Sequence, residues 1–263
     1  MLFLKTILIS AIITTLGFYK FIYFLTLCYG LSIAAIAAFL LIKLNINLTF
    51  VEVILSIIYI FYGLRLAIFL FIRESKNKSY KEKMSKELDK VNQISTKIKI
   101  FLLGSLALLY ACQASPLTFR TLSKTKDDSL IYIPIIIMIF GLLFEIKADK
   151  EKDAAKTINS ARFVDTGLYK IVRCPNYLGE IIFWTGNFIG GLKIYEGGFQ
   201  WFIAILGYIV IIYIMFSAVK RIEARQNKSY GKDPMYQKYI KNTPILIPFL
   251  PLYSFGKYSW IKC

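Results

Sequence analysis

An acidic residue beside an apolar run is the feature of this sequence best suited to chemistry. Glu180 ends the segment GLYKIVRCPNYLGE, residues 167–180, and the apolar run IIFWTGNFIGG follows it directly. An ionised carboxylate in hydrocarbon is costly unless a partner compensates its charge. The sequence therefore predicts that Glu180 belongs to a ligand site.

Asn176 and Glu180 are predicted to lie on one face of a membrane helix. Pro175 suits the first turn of a helix because its missing N–H costs little there, so the helix is expected to begin near Asn176. Glu180 follows Asn176 by about one turn, and Asn187 falls within roughly 20° of Asn176 around the helix. Hydrogen bonding between helices explains Asn187 equally well, but it explains Glu180 poorly.

The composition is that of a polytopic membrane protein. Of the 263 residues, 57% are hydrophobic, and the mean hydropathy is +0.56. A helix needs about 20 apolar residues to cross hydrocarbon. Seven runs approach that length and predict an all-α bundle of about seven transmembrane helices: 2–18, 21–43, 48–72, 97–113, 129–146, 176–195 and 199–217. The first run lacks the cleavage site of a secretion signal, so it is predicted to be a helix of the bundle.

The formal net charge of +17 is concentrated between the apolar runs. Segments 73–99 and 147–175 and the region from Lys220 onward hold nine, seven and nine Lys or Arg residues, respectively. Basic loops stay in the cytoplasm, which predicts an outside N-terminus, a cytoplasmic C-terminus and a solvated linker at 73–99. The charge therefore does not require a nucleic acid. Membrane lipids are the expected partners, because the last region mixes lysines with Tyr and Trp.

Histidine is absent from the sequence, which excludes imidazole as a metal ligand or general base. The four cysteines show neither CxxC spacing nor the pattern of a disulfide framework. No metal site is predicted. Any chemistry must use carboxylates, Tyr, Lys, Cys or a bound cofactor.

Polar residues also occur in or beside other spans. The fifth run continues into KADKEKDAAK, so its helix is predicted to extend beyond the membrane with Asp149 and Lys156 on one face. An exposed, ion-paired extension explains that spacing equally well. The Tyr62 hydroxyl either faces the bundle interior or lies in the aromatic belt at the membrane surface, and its position favours the belt. Glu52 is the only carboxylate of the first three spans, and its place at the outer end of the third span does not suit a catalytic role.

The segment GLYKIVRCPNYLGE, with FEIKADKEKDAAK before it and SAVKRIEAR and YQKYIKNTPILIPFLP after it, resembles the steroid 5-alpha-reductase family, including its bacterial branch. The resemblance covers residues 129–251 well and the first half only in outline. It implies one integral membrane domain, 1–263, in which the spans of residues 1–113 admit the substrate and residues 129–251 bind NADPH. Frequent Lys, Ile and Asn and short loops favour a bacterial plasma membrane.

The resemblance also implies roles for individual residues. Asn176 and Glu180 would hold the nicotinamide, with Glu180 at the catalytic centre, and Tyr62 in FYGLRLA would polarise or protonate the substrate carbonyl. The other cofactor contacts that it implies are Asp149, Lys156, Tyr169, Arg173, Arg221 and Glu223. Many relatives have histidine where this sequence has Cys174, and the acidic or amide partner of the family's tyrosine is not placed here.

These observations predict an oxidoreductase that acts on CH–CH groups with NADPH. Its substrate would be a lipophilic small molecule with an activated C=C bond, such as a steroid or an enone lipid. The alternative is an S-adenosylmethionine-dependent methyltransferase like the isoprenylcysteine carboxyl methyltransferases, which share a related R-H-P-x-Y-x-G element. Asn176 and Glu180 favour the reductase, because a carboxyl and amide pair suits the nicotinamide carboxamide. A membrane protein without enzymatic activity on the same scaffold is a third interpretation.

Overall fold

Regular structure in this computed structural model is helical. The structure describes residues 1–43, 48–76, 95–123 and 128–262, and no strand occurs in these ranges. The helices are α1 (Leu2–Thr14), α2 (Leu16–Tyr19), α3 (Leu27–Lys43), α4 (Phe50–Lys76), α5 (Thr96–Gln113), α6 (Ser115–Arg120), α7 (Tyr132–Ile158), α8 (Pro175–Gly191), α9 (Gly197–Tyr230) and α10 (Pro234–Asn242). Short 3₁₀ turns lie at Phe21–Phe24, Ser129–Ile131 and Gly167–Lys170. The predicted all-α class is confirmed for this part of the chain, and most of the predicted linker at 73–99 lies outside it.

Six helical segments in the described residues are long and apolar enough to cross a membrane: Leu2–Tyr19, Phe21–Ile42, Phe50–Ile72, Thr96–Gln113, Ser129–Ile158 and Gly197–Tyr230. Each coincides with one of the predicted runs. The remaining run, 176–195, corresponds to α8, which has 17 residues. At 1.5 Å per residue α8 rises roughly 26 Å, and the hydrocarbon core is about 30 Å thick. The structure supports a helical membrane bundle, whereas the seventh crossing and the orientation of the termini stay predictions.

One compact unit of the structure consists of Met1–Ile131 and Gly190–Tyr208. Its helices α3 and α4 approach most closely where Gly30 faces Gly63, because a Cβ atom on either glycine would collide with the backbone oxygen of the other. Small residues at such a crossing let two helix backbones touch. Tyr29 and Tyr62 each precede one of these glycines, so the same crossing brings two phenols together.

The start of α4 explains the position of Glu52. Its carboxylate accepts a hydrogen bond from the Thr49 backbone N–H at 2.7 Å, and Thr49 Oγ1 accepts one from the Glu52 N–H at 3.3 Å. This reciprocal capping box satisfies N–H groups that the first turn of a helix leaves without helical partners. Glu52 is therefore a structural residue that fixes where α4 begins.

The other compact unit consists of Tyr132–Ile189 and Ile209–Cys263. Here α7 continues beyond its apolar run to Ile158, which confirms the predicted extension with Asp149 and Lys156. Asp149 is only 7% exposed. Asp149 is therefore not exposed, whereas the alternative interpretation of this extension expected it to be.

An aromatic cluster holds the segment between α7 and α8. The Phe163 ring stacks on Tyr239 of α10 with centroids 5.4 Å apart and meets Tyr236 edge-on at 5.2 Å. The Tyr239 hydroxyl also donates a hydrogen bond to the Tyr169 carbonyl at 2.7 Å. Helix α10 therefore supports the segment that leads into the RCPNYLGE motif.

Candidate functional site

Helix α8, which carries the motif, lies directly against α7 through three glycines. A Cβ atom on Gly179 would come within 2.7 Å of the Glu145 backbone nitrogen. One on Gly141 would come within 2.7 Å of the Gly179 carbonyl oxygen, and one on Gly186 within 2.9 Å of the Met138 nitrogen. The two backbones are in contact, so polar residues next to these glycines are held in fixed positions.

This contact predicts the effect of a single methyl group. Gly179→Ala is expected to destabilise the protein by about 1–3 kcal/mol, because backbone atoms on α7 must move to admit the Cβ. Gly104→Ala is the matched control, since nothing lies within 4 Å of a Cβ there and alanine favours the helix by up to about 1 kcal/mol. Thermal unfolding of the detergent-solubilised variants measures both effects. Equal melting temperatures of the two variants would show that α7 and α8 are not in backbone contact at Gly179.

Four carboxylates are buried among the described residues of this unit, and three of them lie on α7 and α8: Glu145 is 4% exposed, Asp149 7% and Glu180 8%. The sequence predicted Asp149 and Glu180 as site residues and missed Glu145. Glu145 lies one turn before Asp149 on α7, and its backbone faces Gly179, the residue before Glu180. Buried acids at this density are typical of functional sites rather than of packing alone.

Tyr169, a predicted cofactor contact, lies against α7 beside Asp149. Its hydroxyl donates a hydrogen bond to the Ala148 carbonyl at 3.4 Å, and it is only 4% exposed. Burial and the negative charge of Asp149 raise the pKa of the Tyr169 phenol. The hydroxyl therefore stays protonated at neutral pH and acts as a hydrogen-bond donor.

The turn before Tyr169 is fixed by Glu151. Its carboxylate accepts a hydrogen bond from the Leu168 N–H at 2.7 Å. Gly167 has a positive φ of 58°, and a Cβ atom there would collide with the same carboxylate. Glycine is favoured at this position because other residues adopt this backbone conformation only with strain, and a Cβ there would displace the Glu151 carboxylate from the Leu168 N–H.

Lys156 holds the segment after α7 instead of projecting freely from it. Its ammonium group donates to the Ser160 carbonyl at 3.1 Å, to the Arg162 carbonyl and to the Tyr230 hydroxyl at 2.9 Å. These three contacts use the three N–H donors of a lysine. A nucleotide phosphate would have to replace one of them, so a structural role accounts for Lys156 in this structure.

Arg173 and Glu223, both predicted cofactor contacts, form a buried ion pair. Arg173 Nη2 lies 3.2 Å from Glu223 Oε1, and the two side chains are 1% and 6% exposed. Arg173 Nη2 also donates to the Tyr253 carbonyl, and Glu223 Oε2 accepts from the Phe255 N–H at 2.9 Å. The pair ties the start of the motif to α9 and to the segment after α10.

Cys174, at the position where many relatives have histidine, is a packing residue in this chain. It is 4% exposed and packs with Val219, Ile245 and Leu246. Burial raises the pKa of its thiol to about 11. The group is therefore an uncharged thiol at neutral pH, which is a poor nucleophile and a poor metal ligand.

The structure places the predicted polar stripe on α8, which begins at Pro175, one residue before the predicted start at Asn176. Asn176 is half-buried near the start of the helix, Glu180 follows one turn later, and Asn187 is 6% exposed. Arg221 on α9 is exposed, and it donates to the Ser217 hydroxyl at 3.3 Å. Arg221 is thus the predicted cofactor contact most accessible to solvent.

Tyr62 faces the interior of its own unit, so the interpretation of this residue as part of an aromatic belt is wrong. It is fully buried, and its hydroxyl shares a hydrogen bond with the Tyr29 hydroxyl at 3.0 Å, in which either group can donate. The Tyr29 ring packs against Tyr110 with centroids 5.5 Å apart. Sequence reasoning missed Tyr29, although the matching dipeptides Tyr29–Gly30 and Tyr62–Gly63 in neighbouring spans were a usable signal.

The described residues thus form a helical membrane protein that combines a cluster of buried acids in one unit with a buried phenol pair in the other. Residues 11–243 match the family DUF1295, described as a protein of unknown function, and the chain belongs to this family. The family is a membrane family related to the steroid 5-alpha-reductases. No curated protein and no solved structure matches the chain.

Proposed function

We propose that this protein is an NADPH-dependent reductase of a C=C bond conjugated to a carbonyl group in a lipophilic substrate. The observation that carries the proposal is Glu180, a carboxylate that is 8% exposed and lies one turn after Asn176 on α8. Its neighbour Gly179 touches the α7 backbone, which fixes where the acid stands. The relationship of the family to the steroid 5-alpha-reductases supports the same activity.

The residues of α8 suit the carboxamide end of a nicotinamide. NADPH, when bound, supplies a hydride and is oxidised to NADP⁺. The Asn176 side chain offers both a donor and an acceptor, while an ionised Glu180 accepts only. A primary carboxamide presents one acceptor and two N–H donors, so this pair can satisfy both of its ends. Burial strengthens these contacts because water does not compete for them.

The phenol pair supplies what the substrate carbonyl needs. Addition of a hydride to the β-carbon of an enone moves an electron pair onto the carbonyl oxygen and gives an enolate. Uptake of a proton at the α-carbon then restores the C=O bond of the saturated ketone, so a hydrogen-bond donor is needed at the oxygen while it carries the charge. The Tyr62 hydroxyl is the proposed donor to that oxygen. Tyr29 can donate to Tyr62 in turn, and this second phenol stands in for the acidic or amide partner expected of the family.

Titration of the detergent-solubilised protein with NADPH tests the cofactor assignment. The wild type is expected to bind NADPH, and Glu180→Gln is expected to weaken binding by roughly ten-fold or more, because hydrogen bonds to charged groups contribute about 1.5–3 kcal/mol. Isothermal titration calorimetry gives both dissociation constants. Glu196→Gln, the same substitution at an exposed acid, is the matched control and should bind as the wild type does.

A parallel titration with S-adenosylmethionine separates the reductase from the methyltransferase. Binding of S-adenosylmethionine with no response to NADPH would replace the proposed function by methyl transfer. Absence of affinity for both compounds would favour a membrane protein without enzymatic activity.

A further inference from the structure

The segment 249–262 after α10 is fastened along α9 instead of extending into solvent. The Ser217 hydroxyl donates to the Lys262 carbonyl at 2.6 Å, and the Tyr213 hydroxyl accepts from the Lys262 N–H at 3.2 Å. Lys220 Nζ donates to the carbonyls of Tyr258 and Ile261, both at 2.8 Å. These bonds fix the height of the segment along the axis of α9.

That height lies at the edge of the hydrocarbon. No charged residue occurs in α9 from Gly197 to Val219, and Lys220 is its first charge. The Tyr213 hydroxyl contacts the Trp260 carbonyl at 3.4 Å, and Tyr213 lies seven residues on the apolar side of Lys220, which is roughly 10 Å of helix. The Trp260 indole is 57% exposed at this depth. An exposed indole there faces lipid, where tryptophan is favoured.

Phe249 is a second exposed apolar side chain of this segment, and it projects from a rigid turn. Phe249 is 98% exposed, and its φ of 65° is one that bulky residues rarely adopt. The turn that carries it is closed by a hydrogen bond from the Ile245 N–H to the Leu252 carbonyl at 2.8 Å, and the Ile245 carbonyl accepts from the Cys174 N–H at 3.0 Å. Cys174 directly precedes α8, so the base of the turn lies where an apolar helix begins.

The charges of this segment fit one kind of surface. Lys257 and Lys262 are exposed, and no Asp or Glu occurs between residues 243 and 263. Basic residues beside exposed aromatic rings match a membrane surface with anionic headgroups. We propose that segment 249–262 is a lipid anchor, in which Phe249 and Trp260 enter the interfacial layer while Lys257 and Lys262 contact anionic headgroups.

Fluorescence quenching in lipid nanodiscs tests the depth of the anchor. The wild type and Trp260→Phe are compared in phosphatidylcholine nanodiscs that carry bromine either near the headgroup end or near the terminus of the acyl chains. Trp184 and Trp201 are common to both proteins. Bromine near the headgroup is expected to quench the wild type more strongly than Trp260→Phe, and iodide added to the water is expected to quench the two equally. The proposal would be overturned if iodide quenched the wild type more strongly than Trp260→Phe while bromine quenched the two proteins equally.

A second variant and a change of lipid complete the test. Phe249→Trp in the Trp260→Phe background should restore quenching by bromine near the headgroup, and failure to restore it would remove Phe249 from the anchor. Phosphatidylglycerol in the nanodiscs should increase this quenching in the wild type but not in Lys257→Gln/Lys262→Gln. An increase of equal size in both proteins would overturn the contact with anionic headgroups. Only variants that elute as monodisperse protein are compared, so misfolding cannot imitate either result.

Discussion

Arg173→Met is expected to lower the free energy of unfolding by about 3–5 kcal/mol, because it leaves the buried Glu223 carboxylate without its ion-pair partner. The Arg173 guanidinium contacts Glu223 at 3.2 Å, and both side chains are almost fully buried. Without the cation, the Glu223 carboxylate keeps the Phe255 N–H as a donor but loses its opposite charge. Thermal unfolding in detergent should therefore show a large fall in the midpoint.

Two further variants isolate the role of the pair. Arg221→Met removes an exposed guanidinium two residues before Glu223 and is expected to change stability by no more than about 0.5 kcal/mol. The double variant Arg173→Met/Glu223→Leu should recover much of the stability that Arg173→Met loses, since it buries no lone charge. Equal losses in Arg173→Met and Arg221→Met would contradict the structural role of the pair.

Tyr62→Phe is expected to lower kcat by about 10²–10³-fold in the proposed reductase, the usual effect of losing one donor to a developing oxyanion. The substitution removes only the hydroxyl that meets Tyr29 and leaves the ring in its buried place. Oxidation of NADPH in the presence of a neutral lipophilic enone measures the rate. The affinity for NADPH should not change, because the proposed cofactor contacts are Asn176 and Glu180 and do not include Tyr62.

Tyr110→Phe is the control for this prediction. Tyr110 is also buried, and its hydroxyl donates to the Phe24 carbonyl rather than to the phenol pair. Tyr110→Phe should keep its kcat, whereas Tyr29→Phe should lose part of it because Tyr29 acts through Tyr62. Unchanged turnover in Tyr62→Phe would exclude the phenol pair from the reaction.

Local signals in the sequence were sufficient for the helices and for part of the candidate site. Six of the seven apolar runs correspond to membrane-length helices in the described residues, and the start predicted at Asn176 lies one residue after the observed start of α8 at Pro175. The charged segment after the fifth run was predicted as a helical extension because it follows that run directly, and α7 does continue to Ile158. These features depend on residues close together in the chain, which is why sequence alone could predict them.

Contacts between residues far apart in the sequence could not be predicted from these local patterns. Tyr29 and Tyr62 meet because two glycines let α3 and α4 touch, and helical periodicity does not tell which face of a span meets its neighbour. Arg173 and Glu223 are fifty residues apart, and the spacing of charges gave no sign that they are buried together. Glu145 was missed because its burial follows from the contact of α7 with Gly179.

The capping box at the start of α4 bears on which compounds to screen first. Glu52 is the only acid among residues 1–72, and it is engaged by the Thr49 N–H. Glu52 lies ten residues before Tyr62, which is roughly 15 Å of helix, so in the proposed reductase its carboxylate cannot pair with an ammonium group bound at the Tyr62 hydroxyl, whereas a ketone needs only that hydroxyl. A compound collection for this protein should therefore begin with uncharged ketones and leave cationic amphiphiles until last.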